Sequence, residues 1–136
     1  MSEVKGGCLC GAVRYTLKSA PQGVVLCHCT HCQKTSGSAF STNAAIAESD
    51  IVIEGEMASY PDMGESGNIL LRCFCPRCGS SLGSRSTARA GVFILKVGTL
   101  DDHGSLQTAA LEIWTRSAQP WVKFAADMPA FEKGRT

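Results

Sequence analysis

The chain has 136 residues, a length that fits one domain over residues 1–136 with a core large enough to fold alone. Its 13 basic and 12 acidic residues are scattered and leave a formal net charge of +1, which gives no electrostatic footprint for nucleic acid or an anionic membrane. No apolar run is long enough to span a bilayer and the opening MSEVKGG lacks the apolar stretch of a secretory signal, so a cytoplasmic protein is expected.

In chain order, short β-type runs are expected at residues 12–17, 24–27, 39–45, 51–53, 68–74, 92–97, 111–115 and 121–124. AVRYTL and DIVIEG alternate well enough for each to bury one face. Turn-forming stretches separate the runs: GG before Cys8, SGS at 36–38, PDMGESGN at 61–68, CGSS at 78–81 and DDHGS at 101–105. Helical signals are confined to a short turn at 30–36 and a second near 125–128. The pattern is that of a mainly β, mostly antiparallel protein with few short helices, its tight turns set at strand ends.

Eight cysteines occupy those strand ends in three clusters, CLC, CHCTHC and CFCPRC. Thiols separated by one or two residues suit a metal better than a disulfide framework, and a reducing cytosol would keep them as thiols. Cys75 and Cys78, in CPRCG, have the spacing of a zinc knuckle, with Pro76 restraining the turn and Gly79 free to adopt positive φ. Cys8 and Cys10, two apart in an extended segment, point the same way and complete a four-cysteine zinc site. Such a clip joins the first strand to the middle of the chain, and losing its metal is expected to unfold much of the domain.

Cys27, Cys29 and Cys32 remain, together with Cys73. Three arrangements are open. Cys73 closes a second four-cysteine site, His28 or His31 supplies the fourth ligand, or the fourth position is left to water or a substrate thiol. Strand alternation favours the open version, since Cys73 in RCFC projects with Cys75 toward the first site and His28 projects away from its two cysteine neighbours. Three thiolates more than balance the charge of Zn2+. An open site of this kind is therefore a poor generator of hydroxide, but it can take up a further thiol as its thiolate.

These motifs, G-x-C-x-C-G at 6–11, C-H-C-x-x-C-Q-K followed by SG at 27–37, and F-C-x-x-C-G at 74–79, resemble the glutathione-dependent formaldehyde-activating enzyme family; IWTRSAQPWV at 113–122 extends the resemblance along nearly the whole chain. The resemblance implies a zinc-stapled β-tent of antiparallel sheets. It also implies a structural zinc on Cys8, Cys10, Cys75 and Cys78, a catalytic zinc on Cys27, Cys29 and Cys32, and a spare thiol at Cys73. The implied activity joins glutathione and formaldehyde into S-hydroxymethylglutathione, a carbon–sulfur lyase-type reaction. In this family the residue before IWTRS is often histidine, where this chain has Glu112.

The leading expectation is thus a zinc-dependent enzyme acting on glutathione or another small thiol and a small aldehyde. Lys34 is the best-placed cation for a glutathione carboxylate, with Arg72 and Arg116 as weaker candidates. The alternative is a zinc-stabilised protein-binding module without catalytic activity, as in relatives such as centromere protein V, whose basic extensions this chain lacks. A methionine sulfoxide reductase is excluded because no cysteine follows Cys78. Trp114 and Trp121 are expected in the core, His103 at the surface, and Asp101 and Asp102 as turn formers.

Overall fold

The structure, a computed structural model, describes residues 3–63, 67–103, 111–123 and 128–134. Ten strands and one α-helix follow in order: β1 (Val4–Gly7), β2 (Arg14–Leu17), β3 (Val25–Cys27), α1 (Thr30–Ser36), β4 (Ser41–Ala47), β5 (Ile51–Glu54), β6 (Ala58–Met63), β7 (Ile69–Phe74), β8 (Ser81–Ser86), β9 (Val92–Lys96) and β10 (Leu111–Ile113). They form a three-stranded sheet, β1-β2-β5, and a seven-stranded sheet, β10-β3-β4-β9-β8-β7-β6. Every pairing between these strands is antiparallel except β10 with β3, which run parallel with Glu112 opposite Leu26. The fold is therefore mainly β with antiparallel sheets, as the sequence predicts.

Between the sheets lies a core of Val13, Leu17, Leu82, Phe93 and Leu95, all essentially inaccessible to solvent. Burying such side chains supplies about 1.5–3 kcal/mol each. The sheets are also stitched together at one corner. Gly6 bridges Leu100, the Asp101 N–H donates to the Lys5 carbonyl, and Arg14 pairs with Asp101. Asp101 is thus more than a turn former.

Three strands are not evident from the sequence, each for a local reason. VKGG in β1 carries two glycines, yet the Cβ of any residue replacing Gly6 would lie 2.3 Å from the Tyr15 hydroxyl, so packing selects glycine there. β6 contains Pro61, which a strand tolerates at a sheet edge, and β6 is the edge strand paired only with β7. The expected turn at 61–68 therefore begins inside β6 for its first three residues. β8, SLGSRS, is polar, and Gly83 admits the ring of Phe93.

The expectation at 121–124 fails. Residues 121–123 form a turn and irregular chain, and Trp121 is 67% exposed, with no place in the core. Without a neighbouring strand to pair with, aromatic and branched composition alone does not make a strand. Phe124, and the second expected helix apart from Met128, lie outside the described residues.

Gly83→Ala tests the packing between β8 and β9. Its Cβ would sit 2.3 Å from Phe93 Cζ and 2.5 Å from the Ile94 carbonyl oxygen, and the buried ring has nowhere to turn. The urea midpoint should fall by the equivalent of about 1–3 kcal/mol; an unchanged midpoint would contradict this packing.

Candidate metal centres and the cavity beside them

Two turns build the first centre. Cys8 and Cys10 follow β1, and Cys75 and Cys78 lie between β7 and β8. Gly79, at φ 79°, lets the second turn reverse, and its N–H donates to the Cys75 carbonyl at 2.8 Å. The Leu9 N–H donates to Ser80 Oγ at 3.0 Å, which ties the two turns together. All four sulfurs lie within 4.8 Å of one another. The Cys8–Cys10 and Cys10–Cys75 separations, 3.7 and 3.8 Å, equal the edge of a tetrahedron with metal–sulfur arms of about 2.3 Å. Donors already face the sulfurs. The Val13 N–H points at Cys8 Sγ (3.2 Å) and the Arg77 N–H at Cys75 Sγ (3.4 Å). The hydroxyl and backbone N–H of Ser80 draw the Cys78 thiol down to about 5. This set can hold a metal ion.

The second centre is built around the start of α1. Cys27 ends β3, Cys29 caps the helix, and Cys32 lies in its first turn. Cys29 Sγ accepts the Cys32 N–H at 3.2 Å, so this thiol replaces the Ser, Thr or Asp usual at a helix cap. At the other end Gly37, in the left-handed region at φ 62°, stops the helix, which accounts for the SG following the cluster. The three sulfurs are buried and lie within 4.8 Å of one another, and among the described residues no histidine, carboxylate or fourth cysteine joins them. Hydrogen bonds from Cys27 and Cys29 draw the Cys32 thiol far below its ordinary range. Cys27 is pushed well above it by hydrogen bonding to Cys29 and then Cys32.

Neither histidine of CHCTHC belongs to this sulfur group. His28 is wholly buried on the other side of the segment, where its Nε2 lies 2.8 Å from Glu112 Oε1 and its backbone N–H donates to the Ile113 carbonyl. His31 directs Nδ1 at Asp62, 2.8 Å away. Cys73 is also outside both groups. It is buried in the main core, with Sγ near the Leu71 carbonyl and the Arg85 guanidinium, and a β-bulge between Cys73 and Phe74 breaks the alternation that would align it with Cys75.

Cys27 and Cys32 form part of the wall of a cavity of about 260 Å³, facing Arg72, Lys96, Asn43 and Arg89. Lys96 Nζ donates to Asn43 Oδ1 at 2.6 Å, Asn43 Nδ2 donates to Ser41 Oγ at 2.9 Å, and the Ser41 hydroxyl supports Cys32 as thiolate. Arg72, 7% exposed, donates from Nε to Asp62 Oδ2 at 2.7 Å. Lys34 stands exposed on α1, outside the lining of this cavity; Arg116, also exposed, lies over the ring of Trp114, which packs on the three cysteines. Of the cations named from sequence, Arg72 reaches the cavity. Lys96 was missed because it closes an apolar strand, and only the pairing of Lys96 with Asn43 brings it to the cysteines.

Two substitutions separate the centres. Cys75→Ser should remove one equivalent of bound metal and lower the melting temperature sharply, read by metal content and thermal scanning; retention of both would exclude the first centre. Glu112→Ala removes the carboxylate that meets buried His28 Nε2 at 2.8 Å and should cost about 1–3 kcal/mol in urea unfolding.

Residues 3–117 match the family model described as glutathione-dependent formaldehyde-activating enzyme. A solved structure of a Rhodobacter sphaeroides protein superposes with a TM-score of 0.59 at 20% identity, covering 77% of this chain and 96% of that one. At that identity the likeness concerns the fold alone. Comparison with curated proteins gave no match.

Proposed function

The chain belongs to the glutathione-dependent formaldehyde-activating enzyme family, and on that premise we propose that it joins glutathione to formaldehyde, or a related small aldehyde, as a carbon–sulfur lyase-type enzyme. One observation carries this reading. Three buried thiols form a metal-binding group with no fourth protein ligand among the described residues, on the wall of a cavity that also holds two buried or part-buried cations.

Zinc suits both sulfur sets. Cys8, Cys10, Cys75 and Cys78 would hold it as a structural ion; Cys27, Cys29 and Cys32 would hold it with a position left for a further thiol, where it would favour the nucleophilic thiolate. The chain's own residues do the rest. Cys29 couples the sulfur set to α1, so the thiols are held by a helix cap and not by a loose loop. His28 and Glu112 anchor the segment from behind. Arg72 and Lys96 make the cavity favourable to an anionic sulfur, and Lys34 is an outer contact for a glutathione carboxylate. In the addition, the sulfur–carbon bond forms as the carbonyl opens, and the thiol proton ends on the former carbonyl oxygen, giving S-hydroxymethylglutathione with no leaving group. A reducing compartment such as the cytoplasm keeps both the cysteines and the substrate as thiols.

A specific observation favours the second reading, a protein-binding module. Met63 is 62% exposed and Ile69 and Leu71 are each 40% exposed, and they lie on one face of the paired β6 and β7.

Calorimetric titration of the zinc-loaded protein with reduced glutathione, beside zinc-loaded Cys32→Ser shown to be folded, decides between them. Binding below the millimolar range that disappears in the variant is expected. No binding to protein carrying both zincs would end the glutathione reading.

A further inference from the structure

Of the two cations on the cavity wall, one is paired through only part of its guanidinium and the other faces no carboxylate among the described residues. Arg72 is more than nine-tenths buried. Its Nε is taken by Asp62, and its Nη2 has no hydrogen-bond partner among the described residues. Leaving such a group unmet costs more than an ordinary missing hydrogen bond, because the donor carries charge. Lys96 directs its ammonium at the neutral Asn43 Oδ1, and among the described residues no carboxylate pairs with it. Both side chains line the same cavity as Cys27 and Cys32.

Each cation is also held in place. Asp62 sits between His31 Nδ1 at 2.8 Å and Arg72 Nε at 2.7 Å, so one carboxylate fixes the guanidinium to the flank of α1. Asn43, which orients Lys96, is in turn held at Nδ2 to Ser41 Oγ (2.9 Å) and the Val25 carbonyl (3.3 Å). Two restrained cations beside an open metal corner, one with a donor unused, make a place for an anion that arrives with the sulfur.

We propose that Arg72 and Lys96 form a carboxylate-binding site beside the Cys27–Cys29–Cys32 corner, and that the thiols this chain accepts are those carrying a carboxylate within reach of the sulfur. The inference rests on the reading that this corner takes up a thiol, and deepens it by naming what selects the thiol. Arg72 and Lys96 touch the substrate; Asp62 is a positioning residue for Arg72. Glutathione is one member of the class, and simple mercaptocarboxylates are others.

The test compares 3-mercaptopropionate with 3-mercaptopropionamide by calorimetric titration of the zinc-loaded protein. A nearby carboxylate makes its own thiol harder to ionise, so the acid gains no advantage from sulfur chemistry. The wild type should bind the acid about tenfold more tightly than the amide, the range of a charge-assisted hydrogen bond. That preference should fall to about twofold or less in Arg72→Gln and be reduced in Lys96→Gln, with zinc content unchanged; weaker uptake of the sulfur itself affects both thiols and cancels in the ratio. Equal binding of the two thiols by wild type overturns the proposal, and it needs no variant to fold. So does a preference that survives both substitutions, which would leave the two cations merely balancing the charge of the sulfurs. Absence of binding by either thiol overturns this proposal together with the open corner. Preference for the acid without binding of glutathione would remove glutathione as substrate and leave the carboxylate site standing.

Discussion

Sulfur crowding is the constraint on which this architecture turns. Two groups, of four and three cysteines, each hold their sulfurs within 4.8 Å of one another. Two thiolates about 4 Å apart repel by about 4 kcal/mol at an effective dielectric constant of 20, and several such pairs occur in each group. The groups are stable only if protons or a cation occupy them, and the donors already aimed at Cys8 and Cys78 favour the ionised form. The turns are consequently shaped for a metal ion. Gly79, the Leu9–Ser80 hydrogen bond and the helix cap at Cys29 have in common that each brings a sulfur to its position by backbone geometry, with little left to side-chain freedom.

The parallel pairing of β10 with β3 has a related consequence. It places Glu112 behind His28, and it brings Ile113 and Trp114 onto the three sulfurs. Trp114 has φ of 59°, the only non-glycine residue among those described with positive φ. An aromatic residue held there costs on the order of 1–3 kcal/mol. The surroundings keep it so: its N–H donates to the Lys133 carbonyl, its carbonyl accepts from Ser117, and Arg116 covers the ring. The strain buys a flat apolar wall over the second centre while the chain turns away from the sheet.

How much of this was legible in the sequence differs by scale. The cysteine groups were, because their spacing is local and tetrahedral coordination restricts which turns can serve. The helix at Thr30–Ser36 was legible only as a short turn, because its cap is a cysteine in place of the usual Ser, Thr or Asp. Strands β1, β6 and β8 were not, since Gly6, Pro61 and Gly83 there answer to Tyr15, a sheet edge and Phe93, which only the folded pairing supplies. Lys96 and Asp62 were hidden for the same reason. A lysine closing VFILK reads as a strand end, and an aspartate after Pro61 reads as a turn, until register sets one against Asn43 and the other beside His31 and Arg72.

Charge accounts for why those long-range residues matter at the second centre. Three thiolates around a divalent cation leave one net negative charge, and an arriving thiolate would make it two. Arg72 is already offset by Asp62, so its pairing leaves little surplus, whereas Lys96 adds a full positive charge at a partly buried position. Burial lowers the Lys96 pKa, and the nearby Cys32 opposes that lowering. The lysine therefore holds its proton most firmly when the sulfurs are most negative. Cys32 is the sulfur supported by Ser41, at the end of the hydrogen-bonded path from Lys96 through Asn43. The cavity and the cysteines thus form one electrostatic unit, in which a cation from β9 and a polar pair from β4 determine how much negative charge the corner built by β3 and α1 can accept.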